Sequence, residues 1–147
     1  MSIVLTLSNH YKYQLMKKLI DLSADSIKII LMNDSFAFDK DAHAVLTDVT
    51  GGSPENQLAT EHGYTMNNKE LANKVLAEDD INDKGKMTCD DVSWTAAAGA
   101  IGPTGSAIIY DDTSADKTVI GCIDYGTDYT INDGSSFLIK DIEIATS

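Results

Sequence analysis

The stretch Ser106-Ala-Ile-Ile-Tyr-Asp-Asp-Thr-Ser-Ala-Asp-Lys-Thr-Val-Ile-Gly-Cys-Ile-Asp-Tyr125 decides the fold class. Two runs rich in β-branched and aromatic residues, 106–110 and 118–125, flank the turn formers Asp111-Asp-Thr-Ser114, the pattern of two strands joined by a turn. It continues outward. Toward the C-terminus come Tyr129–Ile131, Ser136–Ile139 and Ile142–Ile144, punctuated by Asn132-Asp-Gly134. Toward the N-terminus lie Val92–Thr95, Lys86–Cys89, Leu71–Leu76 and Tyr64–Met66, with Gly102-Pro-Thr-Gly105 and Asp83-Lys-Gly85 as turns. Short strands at this spacing predict a mainly β fold, an antiparallel β-sandwich or partly open barrel.

Upstream, Ile27-Lys-Ile-Ile-Leu-Met32 predicts a further strand buried on at least one face. Between Tyr11 and Leu22 the residues Tyr11, Leu15, Met16, Leu19, Ile20 and Leu22 recur every three or four positions, which predicts one N-terminal amphipathic helix over about 11–22. Residues 33–48 mix turn formers with Phe36, Phe38, Val45 and Leu46, as a short helix or an ordered loop would. Residues 47–57, Thr-Asp-Val-Thr-Gly-Gly-Ser-Pro-Glu-Asn-Gln, form the main loop. At 147 residues the whole chain, 1–147, reads as a single β-rich domain.

The chain carries 11 lysines, no arginine and 23 carboxylates, for a net charge of −12, and 18 of the carboxylates are aspartate. Nucleic-acid recognition draws on cationic patches and the arginine fork, so this composition argues against it. No apolar run nears the ~20 residues of a bilayer helix, which argues against a membrane span. Cys89 and Cys122 form no C-x-x-C pair and are expected as reduced, packed thiols. The segment Met1–Tyr11 shows no pattern of a secretion signal.

Chemistry-bearing motifs are sparse. His10, His43 and His62 have no metal-site spacing, so neither a metal nor a cofactor is expected. Asp41-Ala-His43 would allow an imidazole–carboxylate hydrogen bond, read as a bridge that pins a loop. No serine lies in a nucleophile elbow, and no catalytic residue is assigned. Asp80 to Asp91 resembles an EF-hand loop only in part: Lys84 falls where an oxygen ligand is needed, so a hairpin with Asp83-Lys-Gly85 at its tip is the better account. Asp111, Asp112, Thr113 and Asp116 could gather around calcium, but solvated turn aspartates are commoner.

The ordered residues of the chain resemble a known family. They are Tyr11 and Leu15, Asp25-Ser-Ile-Lys-Ile-Ile-Leu31, Asp41-Ala-His43, Glu61-His-Gly-Tyr64, Asp90-Asp-Val-Ser-Trp94, Ala107-Ile-Ile-Tyr-Asp-Asp-Thr113 and Ile120-Gly-Cys-Ile-Asp-Tyr-Gly126. Their order and spacing over about residues 11–140 resemble small virion structural proteins of tailed bacteriophages. The departures are at Glu61-His62-Gly63, where a second small residue would be expected, and at Met66-Asn-Asn-Lys69, where glycines would be.

The resemblance implies a non-enzymatic capsid decoration or cement protein on the outer head surface. Such a protein is assembled in the host cytoplasm, and its partners are the major capsid protein and copies of itself in a trimer or other small symmetric oligomer. The alternative is a tail, neck or baseplate component that connects parts or contacts a host receptor. Apart from the resemblance, Trp94, Ile108, Tyr110, Ile120, Ile123 and Leu138 are expected to share one sandwich interior, because each sits in an apolar run bounded by turns. Tyr110 and Tyr125 end two of these runs, where their hydroxyls would reach solvent or a turn.

Overall fold

The two runs of the decisive stretch are the inner halves of a longer hairpin. In the computed structural model, which describes residues 4–51 and 55–146, β6 (Ile101–Asp111) and β7 (Val119–Ile131) pair antiparallel from Ile101 opposite Ile131 to Tyr110 opposite Val119. Thus Gly102-Pro-Thr-Gly105, expected as a turn, lies inside a strand. The register slips on both sides of Thr104, and such irregular places in a ladder accommodate a proline without N–H and a glycine at φ +115°. Tyr129–Ile131 is likewise the far end of β7 and not a strand of its own.

Strands β1 (Val4–Leu7) and β2 (Ile27–Asn33) complete a four-stranded sheet in the order β1-β7-β6-β2. Two smaller sheets accompany it. One has the order β3-β4-β9, from Val75–Asp79, Lys84–Thr88 and Glu143–Ala145; the other pairs β5 (Val92–Thr95) with β8 (Ser136–Ile139). Every pairing is antiparallel. The protein is mainly β, with antiparallel sheets that do not close into a barrel.

Tyr64–Met66 forms no strand. Glu61 and Tyr64 exchange two 3.0 Å backbone hydrogen bonds across a tight turn whose corners are His62 at φ 53° and Gly63 at φ 95°. A Cβ at Gly63 would stand 2.2 Å from the Thr95 carbonyl oxygen, so the turn lies flush against β5.

The helix α1 spans Asn9–Met16, not 11–22. It starts earlier because the Ser8 hydroxyl accepts from Tyr11 N at 2.9 Å and donates to Val119 O at 2.5 Å, capping the helix and tying it to β7. It ends at Lys17, and Lys18 takes φ 63°. Ile20 and Leu22 are then buried from irregular chain, while Met16 and Leu19 stay exposed. A second helix, α2 (Leu46–Thr50), occupies the start of the expected main loop; the rest of that loop includes residues 52–54, which lie outside the described residues.

The expected common interior is two cores on opposite faces of the main sheet. Ile108 and Tyr110 do share a face, with Ile30, Val119 and Cys122, beneath Phe36, Phe38 and Leu46. Trp94, Ile120 and Ile123 belong to the larger core on the other face, under β5-β8 and β3-β4-β9. Strict alternation would set Ile120 with Cys122. The register shift between Ile109 and Tyr110 adds one residue to β7, which separates Ile120 from Cys122 and sets Ile120 with Ile123 in one core and Val119 with Cys122 in the other. Leu138 is not a core residue. It is 44% exposed, because β8 alternates outward there and buries Phe137 and Ile139 instead.

Candidate functional site

Chemistry-bearing side chains are mostly engaged in local structure. The Asp41–His43 bridge is not formed: Asp41 accepts from the Asn9 side chain, and His43 Nδ1 accepts from Asp39 N at 2.9 Å between the rings of Phe36 and Phe38. His10 instead meets a carboxylate, Asp116, at 2.8 Å across 106 residues of sequence. Burial works against the Asp116 anion, but the Thr118 hydroxyl and His10 hold its carboxyl below the usual range. Asp112 lies 3.1 Å from Lys28 and 3.0 Å from Lys117. Among the described residues no group of three or more histidine, cysteine or acidic side chains could hold a metal ion. Burial pushes the thiols up, Cys89 to about 11 and Cys122 to about 12, so both favour the protonated form.

One carboxyl pair stands apart. Asp111 is fully buried at the end of β6, where its Oδ1 accepts from Thr113 N at 2.9 Å and Ser114 N at 3.0 Å. Its Oδ2 is buried and meets no protein N–H or O–H, and the carboxyl of Asp25 is a neighbour of the group. Burial first, then the hydrogen bond and charge of Asp25, push Asp111 up to about 7. The Asp111 carboxyl is thereby held toward its neutral form beside the segment that precedes β2. The tyrosine hydroxyls do not reach solvent as expected: Tyr110 OH is buried without a partner, and Tyr125 OH lies 3.5 Å from Thr104 Oγ1.

The surface feature that local structure does not explain is a groove of about 610 Å³ between the exit of α1 and the sheet β3-β4-β9. Leu15 and Leu22 form one wall, Leu76 and Ile144 the other, and the buried Tyr11 and Met87 its base. Charges line its rim: Lys18 and Asp21 on one side, Glu78 and Lys86 on the other. The hairpin beside it is well set. Lys84 bonds Glu143, and Asp79 is held down to about 2 by hydrogen bonds from Asn82, with Lys86 3.5 Å away.

The surroundings of the groove are apolar to an unusual degree. Of the large apolar side chains exposed among the described residues, Tyr13, Met16 and Leu19 sit on α1 and its exit, and Val75, Leu76 and Ile81 on the β3–β4 hairpin. Only Leu138 lies elsewhere. Of these, Leu76 lines the groove itself, and exposed apolar side chains gathered on neighbouring elements mark an interaction site more often than an accident. β3 is also a sheet edge, with no backbone hydrogen bond to anything but β4 among the described residues. Its open row of N–H and C=O groups is a template for another strand. None of the expected core residues lines this groove, and Leu71–Leu76, expected as a strand, ends at its rim.

Comparison of the chain with protein families, curated proteins and solved structures finds no match.

Proposed function

We propose that this chain is a non-enzymatic structural protein of a tailed-bacteriophage particle, a decoration or cement protein on the outer face of the head that binds the major capsid protein and copies of itself. The observation that carries the reading is the apolar groove with its open strand edge, a surface suited to assembly, on a molecule that resembles small virion proteins in the order of its motifs. The charge supports an outward position. A chain of net charge −12 without arginine is repelled by packaged DNA and tolerated on the outside of a shell. Quantitative mass spectrometry of purified particles tests it: hundreds of copies per virion are expected, and a handful or none sinks the reading.

A placement at the tail, with a host-receptor contact, draws on one feature. Tyr129 borders a shallow depression of about 390 Å³ with Asn132, Ser135 and Ser136, an aromatic face beside amide and hydroxyl groups of the kind that holds sugars. Trp94 and the tyrosines at 11, 64, 110 and 125 are buried and unavailable for such stacking. Glycan-array binding lost in Tyr129→Ala, together with tail localisation, would favour this placement.

A further inference from the structure

We propose that the open edge of β3 is the site where a second copy of this chain docks, strand β3 pairing antiparallel with its own symmetry mate about a two-fold axis at Leu76. The inference rests on the reading of the chain as an assembly protein and assigns one of its interfaces.

The argument starts from charge. At −12 per copy, association is opposed unless the copies meet where the charge is least negative. The elements that flank the groove are such a place. Lys12, Lys17, Lys18, Lys74, Lys84 and Lys86 lie on α1, its exit and the β3–β4 hairpin, against an equal number of carboxylates, Asp21, Glu78, Asp79, Asp80, Asp83 and Glu143. This region is close to neutral while the remainder of the molecule carries the surplus.

The pairing then follows from the strand. In Lys74-Val-Leu-Ala-Glu78, Leu76 stands on the groove side opposite the buried Met87, and alternation puts Lys74 and Glu78 on the same side. Two antiparallel copies centred on Leu76 set leucine against leucine, with Lys74 of each facing Glu78 of the other on either side. On the opposite face Val75 meets Ala77. Cross-strand pairs of this kind, apolar against apolar and opposite charges together, are the ones that stabilise a sheet. The neighbouring two-fold register, centred on Ala77, would set Leu76 against Glu78 and Val75 against Asp79, so charge and apolarity select the first.

The charges are available. The Glu78 carboxyl has no hydrogen bond or ion pair among the described residues, and the Lys74 ammonium uses one of its three protons on the Asp25 carbonyl oxygen. The arrangement is isologous and closes at two copies, and it joins the two grooves into one continuous apolar floor beside the axis.

Sedimentation analysis of the full-length chain over a micromolar range tests this. A mass of twice 15.9 kDa is expected, with association weakened at least tenfold in Leu76→Lys and in Glu78→Lys, and recovered when Lys74→Glu is added to Glu78→Lys. Circular dichroism and unfolding curves confirm that each variant is folded. The register has its own readout. In a Cys89→Ser background, Leu76→Cys should form an intermolecular disulfide under mild oxidation, since directly opposed Cα atoms fall within disulfide reach, and Glu78→Cys should not.

A chain that stays monomeric to roughly 100 μM overturns the proposal, and so does a dimer indifferent to Leu76→Lys and Glu78→Lys. If the chain is monomeric yet Leu76→Lys fails to join particles, the groove takes the shell protein and the second-copy assignment is wrong, while the virion reading stands. A dimer behaving as expected from a protein absent from particles leaves the interface and removes the virion reading.

Discussion

Replacing Asp111 by asparagine should remove a loss of stability that the protein otherwise suffers as pH rises. Asp111 is fully buried and its carboxyl is pushed from near 3.8 to about 7 by burial and by Asp25. In the unfolded chain it titrates near ~3.9. Between those values the folded state keeps a proton that the unfolded state has released, so unfolding becomes easier as pH climbs. The stabilisation is complete below the unfolded value and is lost as pH rises through the folded one. At ~1.4 kcal/mol per unit, the shift corresponds to a loss of up to ~4 kcal/mol between about pH 4 and pH 7, a large share of the ~5–15 kcal/mol typical of a domain.

Asparagine is the informative change because it keeps the geometry. Its Oδ1 can accept from Thr113 N and Ser114 N as the carboxyl does, and its Nδ2 is a donor that carries no charge where Oδ2 stood. Urea unfolding of both proteins from pH 4.5 to 8.5 should give similar stabilities at the acid end and a widening advantage for Asp111→Asn toward pH 8. Taking the difference cancels the titrating groups whose surroundings are the same in both. The carboxyls held low, Asp21, Asp79, Asp112 and Asp116, lose their contribution only as pH falls below their unfolded values, beneath the window of interest. Curves separated by a constant offset across the whole range would refute the raised Asp111 carboxyl.

Trp94→Ala should cost roughly 3–5 kcal/mol, because the indole is 3% exposed and packs between Tyr64 and Phe137; Leu138→Ala, on the outward face of the same two-stranded sheet, should stay within about 0.5 kcal/mol. Thermal unfolding decides both, and equal losses would contradict the two-sided reading of β8. Gly63→Ala should cost about 1–3 kcal/mol or more, since the residue sits at φ 95° with the Thr95 carbonyl oxygen 2.2 Å from the added Cβ. A variant as stable as the parent in urea would mean that the 61–64 turn does not press on β5.

Much of the strand content is legible in single residues. The runs Ile27–Met32, Val92–Thr95 and Ser136–Ile139 fall on β2, β5 and β8 nearly residue for residue, because β-branched and aromatic alternation bounded by turn formers has few other uses. The misreadings share a cause. Gly102, Pro103 and Gly105 carry the local chemistry of a turn, yet a long hairpin absorbs them where its register slips. Tertiary pairing overrides local preference there, and periodicity holds no trace of a slip. Likewise the spacing from Tyr11 to Leu22 fits a three-turn helix, but Ser8 begins the helix sooner and Lys18 at φ 63° ends it, so Ile20 and Leu22 are buried by a different route. The assignment of Ile120 needed the one-residue bulge opposite Tyr110, which only the partner strand defines.

The groove was less legible for a reason of another kind. Its walls come from residues 15–22, 76–78, 85–87 and 144–146, four segments that no spacing rule connects. What sequence did contain was the contrast inside Lys74-Val-Leu-Ala-Glu-Asp-Asp80, three apolar residues in a row between a cation and a block of acids. Read as a half-buried strand, such a run predicts one exposed apolar residue as a defect. Placed at an edge, it exposes Val75 and Leu76 on opposite faces, and a natural edge usually avoids this with a lysine, a proline or a bulge. Here the lysine stands just outside the apolar residues and the acid just beyond them, an order that becomes self-complementary when the strand is reversed. A charge that only guarded the edge could sit anywhere along it. The placement of Lys74 and Glu78 two residues either side of Leu76 is what pairing with a copy requires, and it is why reversing both charges together should restore what reversing one destroys.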